Sequence, residues 1–110
     1  GPMRALAGAE LASYATQRRA LEAKYPASRA GFDDFMKHLL HALALVGPDH
    51  VGIGLDLDGG GGVNGLEDAA DVPRITERLL AQGYAEEDIA KMWSGNVLRL
   101  LADAETHAAQ

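Results

Sequence analysis

Asp56 and Asp58 stand two residues apart at the end of the run Val51-Gly52-Ile53-Gly54-Leu55-Asp56-Leu57-Asp58. The run alternates. Val51, Ile53, Leu55 and Leu57 share one face, and Gly52, Gly54, Asp56 and Asp58 the other, which is the period of a β-strand. On a strand the two carboxylates point to the same side, about 6.5–7 Å apart. Carboxylates so placed can share a divalent metal or divide acid and base roles. They also end the strand on its carboxyl side, where α/β folds place ligands. Asp56 and Asp58 are therefore the catalytic candidates. The alternative is structural: aspartates here can bond the amides of the following turn.

Histidine supplies a second set of donors. His38 and His41 lie i,i+3 on an expected helix, with Asp34 four residues before His38. That face could hold an ion, or it is the polar flank of an amphipathic helix. The metal candidates are Asp56, Asp58, His38 and His41, with Zn, Mn or Ca as the divalent cofactor. Asp56 to Glu67 also fits a twelve-residue calcium loop, with carboxylates at positions 1 and 3, glycine at 6 and glutamate at 12. Its context is poor, because the entering segment reads as strand where an EF-hand needs a helix. Gly59 to Gly62 could cradle an anion but lacks the Gly-Lys-Ser/Thr ending of a phosphate loop. His50 begins the strand, about 20 Å from Asp56 in extended chain, too far to share its site. No His-Glu-x-x-His run and no nucleophile-elbow pattern occurs.

The elements that must position these groups are mostly helical. Residues 3–25 read as a helix with Leu11, Tyr14, Leu21 and Tyr25 in a stripe, Arg18 paired to Glu22, and Pro26 as its end. Phe32 to Val46 is a core-facing helix through Phe32, Phe35, Met36, Leu39, Leu43 and Val46, stopped by Gly47-Pro48. Asp33 and Asp34 suit its first turn. After the strand and the glycine loop, Pro73 opens a third helix with Ile75, Leu79 and Leu80 inward, closed by Gly83. Glu86 to Trp93 is a short acid-led helix. Ser94-Gly95-Asn96 offers cap chemistry for a last helix, about Val97 to Glu105, with Val97, Leu98, Leu100 and Leu101 inward.

A lone strand needs company. An unpaired buried backbone group costs about 1–3 kcal/mol, and the nearest available neighbour is the same strand from a second copy. The expected partner is the chain itself, in a homo-oligomer, most simply a two-fold dimer pairing residues 51–57 antiparallel.

Composition sets the outer limits. The chain has 110 residues and no cysteine, which excludes disulfides, thiolate nucleophiles and Cys-ligated zinc. A net charge of −6 with no basic patch argues against nucleic acid. No apolar run approaches the roughly 20 residues that span a bilayer, so no membrane partner is expected. A monomeric (β/α)8 barrel would need about 250 residues. Gly1-Pro2 ahead of Met3 reads as a protease-cleavage scar. Residues 3–105 read as one helical domain with strand 51–57, and residues 106–110 as a frayed tail. With no apolar leader in sight, the expected location is cytoplasmic.

Taken in order, several motifs resemble the carboxyl-terminal end of the membrane (renal) dipeptidase family. They are Phe32-Asp33-Asp34-Phe35, then His38 to His41, then Gly47-Pro48-Asp49-His50-Val51-Gly52-Ile53-Gly54-Leu55-Asp56-Leu57-Asp58-Gly59. Gly65-Leu66-Glu67-Asp68, Gly83 to Ile89 and Gly95-Asn96-Val97-Leu98-Arg99-Leu100-Leu101 follow. The resemblance covers about residues 10–104. It implies a piece of a (β/α)8 barrel with a two-zinc site, namely the last strand and its flanking helices. It also implies that Asp56 matches the active-site aspartate near the metal-bound water and substrate amine, and that Asp58 supports the loop. The family's His-x-Asp, bridging Glu and later His ligands lie in earlier strands, as do its substrate-gripping Arg and His, and none is present. Ala85 stands where a Ser or Thr cap is usual.

The resulting expectation is a mainly α chain with a single β-strand, a truncated dipeptidase-like fragment completed by homo-oligomerisation. It would have weak divalent-metal-dependent hydrolase activity, more of a phosphoesterase than a dipeptidase. A non-catalytic folded fragment or interaction module and a calcium-binding loop protein remain the alternatives.

Overall fold

The computed structural model describes Ala5 and residues 7–110. The expected scar at Gly1-Pro2, and Met3, Arg4 and Leu6 of the first expected helix, lie outside the described residues. Five helices follow in order: α1 Ala9–Lys24, α2 Phe32–Val46, α3 Pro73–Ala81, α4 Glu86–Ala90 and α5 Asn96–Ala108. Short 3-10 turns occupy Pro48–His50, Leu57–Gly59 and Ala69–Asp71, and a π turn, Lys91–Gly95, joins α4 to α5.

α2 forms over the expected residues, but Val46, expected inward, is exposed at its end, where the chain leaves the core. Phe32, Met36, Leu39 and Leu43 are its buried residues, one stripe at spacings of three and four. The Asp34 carboxylate accepts the Gly31 N–H at 2.9 Å, satisfying a donor at the helix start. Gly47, at φ 78°, closes the helix ahead of Pro48. Around this stripe gather Leu66, Ile75, Leu79, Ile89, Met92 and Val51. Met36, Leu66, Ile75, Leu79 and Met92 are the most completely enclosed. The core therefore lies between α2, α3 and the α4–π junction, with Val51, Ile53 and Leu55 packed against it from one side.

The expected strand 51–57 does not form. Among the described residues there is no strand ladder, only isolated bridges between Gly31 and Asn64 and between Val63 and Leu66. The alternation survives as burial: Val51, Ile53 and Leu55 turn inward while Gly52 and Gly54 are exposed. The inward face is set locally by the pattern, but a strand requires a neighbour to exchange hydrogen bonds with, and none lies beside it. From Leu57 onward the backbone is already in a 3-10 turn.

The outer helices differ more from expectation. α1 contributes no buried residue, and its Leu11, Tyr14, Leu21 and Tyr25 are exposed. The expected Arg18–Glu22 pair is present at 2.8 Å. α5 begins at Asn96 without a side-chain cap, because Ser94-Gly95-Asn96 is continuous helical backbone and not a boundary. Val97, Leu98, Leu100 and Leu101, expected inward, are all more than half exposed, and Leu80 on α3 is exposed as well. α5 also runs through Ala108, into the stretch expected to fray. The radius of gyration is 20.2 Å, against about 13 Å for a compact domain of this length. A small core is thus flanked by helices whose apolar faces are left uncovered by the described residues.

Candidate functional site

Asp56 sits where the extended segment turns into the glycine loop. Its backbone is left-handed, φ 51° and ψ 41°, a conformation that Asp and Asn tolerate better than other side chains. The reversal lets the Asp56 carbonyl accept two amides, Gly59 N–H at 3.1 Å and Gly61 N–H at 2.8 Å. The loop is therefore folded back on the residue that carries the candidate carboxylate. Gly61 lies so close beneath the Leu55 and Asp56 carbonyls that a Cβ would overlap both. The Asp56 carboxylate itself rests above Gly59.

This geometry corrects the same-face argument. That argument needs extended backbone from Asp56 to Asp58, and the left-handed turn at Asp56 breaks it. Both side chains are exposed, and neither carboxylate makes a hydrogen bond or ion pair among the described residues. His38 and His41 are exposed on α2, and His50 is exposed in its 3-10 turn. Among the described residues no group of three or more His, Asp or Glu side chains stands close enough to hold an ion. The four candidate ligands Asp56, Asp58, His38 and His41 are not brought together within one chain. The calcium-loop pattern fares no better, since an extended segment and not a helix leads into Asp56.

The far end of the loop is fastened firmly. Asn64 N–H donates to Ala30 O at 3.0 Å and Phe32 N–H donates to Asn64 O at 2.8 Å. An Arg74 Nη1–H donates to Gly65 O. The Arg74 and Arg78 guanidiniums lie over the Phe32 ring at 4.4 and 4.9 Å, and Arg78 reaches Asp33 at 3.0 Å. Asp71 and Asp68 accept the Glu67 and Ala70 amides. Between the fastened end and the segment is a cavity of about 210 Å³, lined by Phe35, Gly54, Leu55, Gly62, Val63 and Leu66.

The near end is held by residues that motif reading does not single out. Lys91 Nζ lies 2.9 Å from Asp49 and 3.3 Å from Asp88. Its ammonium, donating to Asp49, pulls that carboxyl below the ordinary range. The two carboxylates, Asp49 foremost, raise the Lys91 ammonium above its own. Asn96 is buried and donates to Pro48 O at 2.7 Å and Val51 O at 2.9 Å. The signal in the sequence is faint: an asparagine placed where helix continues, against its propensity.

Comparison with known proteins decides the lineage. The sequence profile described as membrane dipeptidase (Peptidase family M19) matches residues 11–110. The chain belongs to the membrane dipeptidase family. It is similar to Dipeptidase aclJ of Aspergillus oryzae, 39% identical over 85 residues, which is 76% of this chain and 20% of that protein. Dipeptidase tcpJ of Claviceps purpurea is 35% identical over 82 residues, 74% of this chain and 19% of that one. The crystal structure of the probable dipeptidase PvdM from Pseudomonas aeruginosa aligns with a TM-score of 0.63 at 36% identity, over 82% of this chain and 22% of that one. The chain thus spans about a fifth of the length of these relatives. Membrane dipeptidases are in general zinc-dependent. The residues described here do not fit a zinc site unaided, because no three donors converge.

Proposed function

We propose that this chain is the carboxyl-terminal segment–loop–helix unit of a dipeptidase-type hydrolase, carrying the site's aspartate, Asp56, without its metal ligands, and that it associates with a second copy. The observation that carries this is the family match running across Asp56, joined to an exposed Asp56 carboxylate at the carboxyl end of segment 51–55. The unpaired segment and the uncovered apolar face of α5 supply the reason to associate. Burying apolar surface yields about 25 cal/mol per Å², and pairing the segment satisfies its open amides.

A second reading concerns activity within that assembly. Both Asp56 and Asp58 have carboxylates without a partner among the described residues, and association would double them. This favours weak divalent-metal-dependent hydrolysis of an activated phosphoester over dipeptide cleavage, which needs substrate clamps absent from this sequence. The test combines light scattering at micromolar concentration with turnover of 4-nitrophenyl phosphate and of a dipeptide, with Zn2+ or Mn2+ and with chelator. The expected result is an oligomer with slow phosphoester hydrolysis that chelator abolishes and Asp56→Ala or Asp58→Ala lowers severalfold. A stable monomer contradicts the association, and turnover indifferent to both substitutions contradicts the activity.

A further inference from the structure

Asn96 is the buried polar side chain among the described residues, and every polar atom it has is used. Its Nδ2 donates to the Pro48 and Val51 carbonyls. Its Oδ1 accepts from Arg99 Nη1 at 3.0 Å, and Arg99 Nη2 donates onward to Asp49 O at 2.8 Å. One turn earlier, Met92 O accepts the Ile53 N–H at 3.1 Å. The stretch 92–99 thus grips four backbone groups of residues 48–53. In extended chain, the N–H and C=O of one residue point to one edge and those of the next residue to the other. Val51, at φ −119° and ψ 132°, is extended. Val51 O and Ile53 N–H therefore present one common edge to the helix, while Gly52 and Gly54 present the opposite edge. The Gly52 and Gly54 N–H groups have no acceptor among the described residues.

We propose that Asn96, backed by Arg99, is a positioning residue that holds the chain leading to Asp56 against the helical stretch 92–99. It closes the Val51/Ile53 edge and leaves the Gly52 and Gly54 N–H groups without an acceptor among the described residues. The register at which Asp56 enters its turn is set from this grip. The bearing on Asp56 as a hydrolase residue rests on the reading under Proposed function; the grip itself does not.

The experiment is residue-resolved amide exchange and amide NMR spectra on the full chain, wild type against variants at one concentration. In Asn96→Ala, Ile53 protection falls about tenfold, since opening becomes local. The Gly59 and Gly61 resonances, which report on the Asp56 carbonyl, shift. Exchange at Met36, Leu39 and Leu43 in α2 stays within about twofold of wild type. Arg99→Gln, at an exposed position, gives the same pattern at smaller amplitude and decides the matter if Asn96→Ala does not fold. In whichever variant folds, unchanged Ile53 protection overturns the proposal. So does loss by the same factor as in α2, or Gly59 and Gly61 resonances that do not move. None of these readouts uses turnover, so the grip and the hydrolase reading fail separately.

Discussion

Replacing Gly61 by alanine tests the turn at Asp56 most sharply. A Cβ at Gly61 has nowhere to go: it overlaps the carbonyl oxygen of Leu55 and the carbonyl group of Asp56, both backbone and both committed to the fold. Crowding of this kind costs about 1–3 kcal/mol. Moving the loop away also lengthens the Gly61 N–H to Asp56 O bond, now 2.8 Å, at about 0.5–1.5 kcal/mol. The expected loss is about 2–4 kcal/mol. In a domain of this size each kcal/mol lowers Tm by about 4–8 °C, so the fall is on the order of 10–30 °C. Two controls grade the effect. At Gly59 the atoms nearest an added methyl are those of the Asp56 carboxylate, which can swing aside, so Gly59→Ala costs less than about 1 kcal/mol. At Gly52 nothing lies within reach, and Gly52→Ala is neutral or stabilising by up to about 1 kcal/mol through the unfolded chain. Thermal melts followed by circular dichroism at one protein concentration rank the three, the fixed concentration guarding against coupled association. A Gly61→Ala melt matching that of Gly52→Ala refutes the folded-back loop.

Two further outcomes follow from charge and from exposure. The Asp49 carboxyl is held below its ordinary range by Lys91, so its contribution to stability is present above the unfolded value and is lost as pH falls through the depressed folded value. The Lys91 ammonium is raised by Asp49 and Asp88, so its contribution is present below the unfolded lysine value and is lost as pH climbs through the raised one. Urea midpoints of wild type therefore fall at both extremes, and Lys91→Met flattens both limbs; equal pH profiles for the two proteins contradict the pairing. On α5, Leu98 and Leu101 are more than half exposed, so Leu98→Glu with Leu101→Glu changes the unfolding free energy of the chain by no more than about 0.5 kcal/mol each while weakening association in light scattering. A large loss of folding at low concentration indicates that this face packs within the chain.

What the sequence disclosed was what local pattern controls. Phe32, Met36, Leu39 and Leu43 recur at helical spacing, and Gly47-Pro48 ends the helix, so the bounds of α2 and most of its inward stripe were legible, Val46 excepted. The inward set Val51, Ile53 and Leu55 was legible for the same reason, since alternation assigns faces without reference to any neighbour. The ladder was not, because pairing is a relation to another segment. Nor was the left-handed backbone of Asp56, where alternation continued past the point at which the glycine loop folds back. Val97, Leu98, Leu100 and Leu101 show the opposite error: an apolar stripe says that a face wants cover, not that cover is present. Asn96 reads as cap chemistry because asparagine favours helix ends, and only the fold reveals carbonyls of Pro48 and Val51 waiting beside it. The motifs around Asp56 identified the lineage, yet no three donors that could complete a metal site gather among the described residues.

The most direct test of an unfinished strand seeking its neighbour is amide exchange at Gly52 and Gly54 as a function of concentration. The account predicts slow exchange at both glycines in the concentrated, associated protein and near-intrinsic rates once dilution yields the single chain, with Ile53 protected throughout. Fast exchange at Gly52 and Gly54 at every concentration, in a particle that keeps the mass of one chain, contradicts it.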